Sequence, residues 1–167
     1  MISLTIGFLL FVVLTLLLSA LVSATPLLQG TADLILLTII AWAMQERVKT
    51  IWLWTVIGGV LVGFVSKMPF FVVIIAYLIV AAIVIYTKQR FWKAPYLAMW
   101  AMTLVGTVII QSVSLAVRWF EGADINVLSV FNLIILPSLV LNLLLAAPIY
   151  ALVRDLANWL YPAEVIT

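Results

Sequence analysis

The chain has no cysteine, no histidine and few charges: eight Lys and Arg against six Asp and Glu in 167 residues. The absence of cysteine excludes structural disulfides, thiolate nucleophiles and cysteine-ligated metals. The absence of histidine removes the commonest general base and metal ligand. A net charge of +2 with no basic stripe excludes a nucleic-acid surface. What remains is apolar. Hydrophobic residues make up 68% of the chain, and the mean hydropathy is +1.38. A water-soluble domain of this size needs far more polar surface. The composition therefore implies an integral membrane protein, whose rare polar residues are the places to look for function.

A helix crossing about 30 Å of hydrocarbon needs roughly 20 apolar residues. The chain divides into six such stretches, about 2–22, 26–44, 51–66, 69–87, 95–119 and 127–153, within a single domain 1–167. The first lacks a basic leader and is too long for a signal-peptide core, so it is expected to stay as a span. Thr25-Pro26 suits a helix start. Lys67-Met68-Pro69 makes a tight hairpin, and Pro137 and Pro148 are expected to kink the last span. The fold class expected is an all-α membrane protein of six transmembrane helices.

Lys and Arg set the orientation. With the N-terminus inside, Arg47, Lys49, Lys88, Arg90, Lys93 and Arg154 lie on inner segments, and Lys67 and Arg118 on outer ones. Both termini are then cytoplasmic. Six of the seven tryptophans, Trp119 being the exception, fall toward the same inner interface, where indoles favour the headgroup level. Beyond the last span, residues 154–167 read either as a short cytoplasmic interfacial tail or as an extension of the sixth helix, with Leu152, Leu156, Trp159 and Leu160 at helical spacing.

Asp33 is the single acid well inside an expected span. A charge at the centre of a bilayer helix costs at least about 2.5–3.5 kcal/mol, so such a residue faces protein or water. It is either a partner for a ligand or a neighbouring helix, or a carboxylate in the first turns of a helix, where the dipole favours it. Gln111 and Asn132 are expected to hydrogen-bond between helices. Asn142, between Pro137 and Pro148, ties the kinked helix or lines a cavity. Arg118 is expected to anchor the outer interface, with Glu121 and Asp124 nearby. Gly59 and Gly63 form a GxxxG stretch that lets backbones approach; packing within the chain is the expected use. No Ser-His-Asp set, metal-binding helix, paired carboxylates or phosphate loop is present. The chain is not expected to be an enzyme or to hold a metal or cofactor.

The segment Leu136-Pro137-Ser138-Leu139-Val140-Leu141-Asn142 through Pro148-Ile149-Tyr150 to Arg154 resembles the closing helix of the MreD family, the bacterial rod shape-determining membrane proteins. That ending has an Asn, an apolar stretch, a Pro or small residue, a Tyr and a basic residue. Ala32-Asp33-Leu34-Ile35 resembles the family's Pro-Asp-Leu-Leu element, with Ala32 in place of the proline, and Gly59 and Gly63 resemble its glycine-spaced third helix. Where the family commonly places an acid near the end of that helix, this chain has Ser66-Lys67.

The resemblance implies a six-helix fold similar to the S component of energy-coupling factor vitamin transporters. It implies a non-enzymatic scaffold in the bacterial inner membrane that pairs with an MreC-like single-span protein. Such a scaffold connects MreB filaments with a RodA-type glycosyltransferase and its penicillin-binding transpeptidase. Asp33, Asn142, Pro148, Tyr150, Arg118 and Gln111 are the candidates for a partner-binding or pocket surface. The competing expectation is an S component that captures a vitamin. It requires a polar, aromatic-lined pocket near the outer face, for which the short outer loops offer few side chains. Membrane lipids are partners under either expectation.

Overall fold

A computed structural model describes residues 31–46, 48, 50–66, 68–88, 94–124 and 126–161, all of whose regular structure is helical. Five helices follow in chain order. They are α1 (Leu34–Ala43), α2 (Ile51–Val65), α3 (Phe70–Thr87), α4 (Pro95–Phe120) and α5 (Val127–Leu160). Three of them, α3, α4 and α5, are long and apolar enough to cross a membrane. The expected first span, 2–22, lies outside the described residues.

The second stretch departs from expectation. Instead of one helix over 26–44, residues 31–33 are non-helical and α1 begins at Leu34. The cause is Asp33, which acts as N-cap: its Oδ1 accepts the Leu36 N–H at 2.9 Å, satisfying one of the donors that every helix start leaves open. Ten residues make a helix of only about 15 Å, half the hydrocarbon thickness. Yet α1 is buried along its whole length, Ile35 alone being partly exposed. It touches all four other helices. A helix that is apolar all round belongs in a core, and α1 is that core.

The surrounding helices turn narrow stripes toward it. On α3 the buried residues are Val73, Ala76, Tyr77, Val80, Ala81 and Val84, a repeat of three and four that marks one helix face. On α4 they are Ala98, Met99, Met102, Thr103, Gly106 and Thr107. The large side chains Phe71, Ile75, Leu104, Val108, Leu144 and Leu152 point outward. Small and hydroxyl-bearing residues inside with bulky apolar residues outside is the reverse of a water-soluble bundle, and it suits helices packed in lipid.

Gly59 and Gly63 serve the α2–α3 hairpin. A Cβ on Gly59 would lie 3.0 Å from the Ile74 Cα, and one on Gly63 would lie 2.7 Å from the Phe70 ring. The GxxxG stretch thus packs within the chain. At the turn after α4, Gly122 adopts φ +82°, the left-handed region that glycine enters at little cost. Asn126 then caps α5 by accepting the Ser129 N–H at 3.1 Å.

α5 runs 34 residues, about 51 Å. It contains a π turn over Phe131–Ile135, closed by the Leu136 N–H on the Phe131 carbonyl. Pro137 explains it: a proline ring collides with the carbonyl four residues earlier and offers no N–H, and a widened turn just upstream relieves both. Residues 154–160 continue α5, so this part of the expected tail extends the last helix. The helices alternate in direction. One end of the bundle therefore gathers Trp42 against Trp54, edge to face at 5.7 Å. It also holds the Lys88 Nζ on the Ala43 carbonyl at 3.5 Å and Arg154 beside Tyr96. Arg118 lies in the last turn of α4, at the opposite end.

Candidate functional site

Where α1 begins, four helices are joined by side-chain hydrogen bonds. The Tyr77 hydroxyl on α3 donates to Asp33 Oδ2 at 2.6 Å, while Oδ1 is held by the Leu36 N–H. The backbone N–H of Asp33 donates to Asn142 Oδ1 on α5 at 2.8 Å. Asn142 Nδ2 in turn donates to Thr107 Oγ1 on α4 at 2.9 Å. Two residues earlier, the Thr31 N–H donates to Ser138 Oγ at 3.1 Å.

The local geometry follows from chain dimensions. Ser138 and Asn142 are one helical turn apart on the same face of α5, a rise of about 6 Å. Two residues of extended chain reach about 6.6 Å. The N–H groups of Thr31 and Asp33 can therefore meet both side chains, and the stretch leading into α1 is pinned to α5 at two points. Every backbone group at membrane depth needs a partner within the protein, and these two side chains supply it where α1 has no preceding helical turn.

Asp33 and Asn142 are thus brought together, and the remaining candidates are not part of this cluster. Tyr150 is buried one helical stretch away, with its ring edge-to-face on Tyr96 at 5.2 Å. Pro148 lies inside α5 on an exposed face. Gln111 is half-buried, with no hydrogen bond among the described residues. Arg118 is exposed, as are Glu121 and Asp124, and none of the three forms an ion pair among the described residues. Asn132 departs from the expectation of a bond between helices: it sits in the π turn with its side chain exposed.

Sequence reasoning missed Tyr77, Thr107 and Ser138. A signal for each was present. Tyr77 is a phenol in the middle of an otherwise apolar span. Thr103, Thr107, Gln111, Ser114 and Arg118 recur on α4 at steps of four, four, three and four, a polar stripe along one face. Ser138 stands four residues before Asn142.

The cluster contains one carboxylate, one phenol, one amide and two hydroxyls. The one carboxylate–hydroxyl pair in it is Asp33 with Tyr77, and among the described residues no group of three or more acids could hold a metal ion. Its bonds tie elements together: the half-buried Asp33 carboxylate is held by the Leu36 N–H of its own helix and by the Tyr77 hydroxyl of α3, and the Asn142 amide bridges the Asp33 backbone and Thr107 on α4. Compared with models of protein families, with curated proteins and with solved structures, the chain matches none.

Proposed function

We propose that the protein is a non-enzymatic membrane scaffold of the cell-elongation machinery, of the MreD type, which pairs with an MreC-like single-span protein. The observation that carries this reading is the bond between Asp33 and Asn142. Two segments 109 residues apart each resemble an element of that family, and they meet at one hydrogen bond. A chance likeness in either segment would not require them to be neighbours. The packing of Gly59 and Gly63 against α3 adds a third element with a defined use.

A scaffold also accounts for the division of labour among side chains. The polar groups at the head of α1 are spent on one another, and the outward faces of α3, α4 and α5 carry the bulky apolar residues that other membrane helices can pack against. A vitamin-binding S component needs polar groups that point into a pocket. At this cluster those groups point at each other.

Co-expression with an MreC-like protein tests the reading. A complex that survives detergent and size-exclusion chromatography is expected. Failure to co-purify, together with tight binding of a vitamin, would overturn it.

A further inference from the structure

At the end of the bundle opposite the Asp33 cluster, a crevice of about 170 Å³ opens between the loop after α1 and the last turns of α5. It is lined by Gln45, Glu46, Ala157 and Asn158. We propose that this end binds the headgroup of a zwitterionic phospholipid bearing a primary amine, with the ammonium in the crevice and the phosphate on Arg154. The proposal is independent of the scaffold reading.

The fit is one of levels along α5. Asn158 is one turn beyond Arg154, about 6 Å further from the middle of the helix. The deeper position carries the cation. The Arg154 guanidinium lies 3.4 Å from the Tyr96 hydroxyl through one nitrogen, and through Nε and a second terminal nitrogen it meets Asp155 Oδ1 at 3.3 and 3.2 Å. Three contacts leave two of its five N–H groups for a phosphate. The pair with Asp155 is solvent-exposed, with 43% and 69% of the two side chains accessible, and exposed pairs of this kind are weak competitors.

The outer level carries the acceptors. Glu46 is exposed and has no cation within ion-pair distance among the described residues. The side-chain oxygens of Gln45 and Asn158 add acceptor capacity. At about 30 Å³ for one water, the crevice has room for an alkylammonium group. Toward the middle of the helices from the Tyr96 hydroxyl that Arg154 touches, the exposed side chains Leu97 and Trp100 on α4 offer an apolar strip at the depth of acyl chains. Aromatic side chains flank the guanidinium, as they do at membrane interfaces. Amine, phosphate and chains therefore find acceptors, a cation and an apolar strip in the order a phospholipid presents them.

The chemistry selects among headgroups. A primary ammonium donates three N–H bonds, and bonds between charged groups are the strong ones. A trimethylammonium has no N–H to give Glu46. A glycerol headgroup leaves the Glu46 carboxylate without a counter-charge.

Native mass spectrometry of the full chain, delipidated and titrated with palmitoyl-oleoyl phosphatidylethanolamine, phosphatidylcholine or phosphatidylglycerol, tests this. Ethanolamine lipid is expected to bind about tenfold more tightly than choline lipid, the worth of one charge-assisted bond. Glu46→Gln, in an exposed loop, should remove that preference while leaving choline lipid unchanged, and Arg154→Gln should weaken both. Equal binding of the two by the wild-type chain, tightest binding of glycerol lipid, or a preference that survives Glu46→Gln would overturn the proposal.

Discussion

The Tyr77 hydroxyl and the Asp33 carboxylate meet at 2.6 Å, and this contact links the N-cap of the central helix to the middle of a membrane-length one. One oxygen of the carboxylate ends a helix and the other holds a neighbour. Neither partner alone suits an apolar interior. Together they satisfy the donor and two of the acceptor sites that burial would otherwise leave open.

The contact sets a testable order of stability. Asp33→Ala removes an N-cap, worth about 1 kcal/mol, and leaves the Tyr77 hydroxyl without its acceptor, at about 1–3 kcal/mol more. Asp33→Asn keeps a capping oxygen and should cost less than Asp33→Ala. In detergent unfolding, Asp33→Ala with Tyr77→Phe should be less damaging than the sum of the two, with a coupling of about 0.5–3 kcal/mol. Strict additivity would mean that the bond contributes nothing.

Asn142 and Thr107 share a hydrogen bond but are not expected to be equivalent. Thr107→Val removes an interhelical bond of the ordinary membrane kind, about 0.6 kcal/mol. Asn142→Ala also strips the Asp33 N–H of its acceptor, which raises the cost to about 1–3 kcal/mol. Thermal melting of the two variants in the same lipid nanodisc decides the matter. Equal shifts would show that the backbone bond is dispensable.

The two glycines of α2 differ in what surrounds them. A methyl at Gly59 meets the backbone of Ile74, which cannot turn away, while a methyl at Gly63 meets the half-exposed ring of Phe70, which can. Overpacking against a rigid neighbour costs about 1–3 kcal/mol. Gly59→Ala should therefore lower the melting temperature more than Gly63→Ala, and the reverse order would contradict this helix contact.

Tryptophan positions report which surfaces meet lipid. Single-tryptophan variants in vesicles of brominated phospholipid should show strong quenching at Trp100 and Trp159, which are 45% and 64% exposed, and little at Trp42, which is 1% exposed. Uniform quenching would mean that the central helix is not enclosed.

The sequence revealed the membrane-length helices because hydropathy alone decides them. Pro95 and Lys88 mark boundaries that the helices respect, within a residue. It did not reveal where the second stretch becomes helical, since an apolar run reads the same whether its first residues are coiled or not. Only the capping bond of Asp33 to Leu36 distinguishes the two cases, and a capping Asp and a span-interior Asp are the same letter. Asn142 stood out because an amide between two prolines is rare in an apolar helix. Tyr77 did not, because tyrosine is common near membrane ends and its depth depends on where the hairpin at Pro69 turns. The exposure of Asn132 was hidden for a related reason: the π turn ahead of Pro137 rotates the register of the residues before it.

The bond from Asp33 to Asn142 has a consequence in time. At about 5–20 residues per second, the ribosome adds the 109 residues between them in about 5–20 s. Through that interval Asp33 is already made and Asn142 is not. Tyr77, only 44 residues on, reaches it first. The central helix is therefore made well before its last partner, and a ribosome stalled before the final helix leaves the Asp33 carboxylate matched but its backbone N–H without an acceptor.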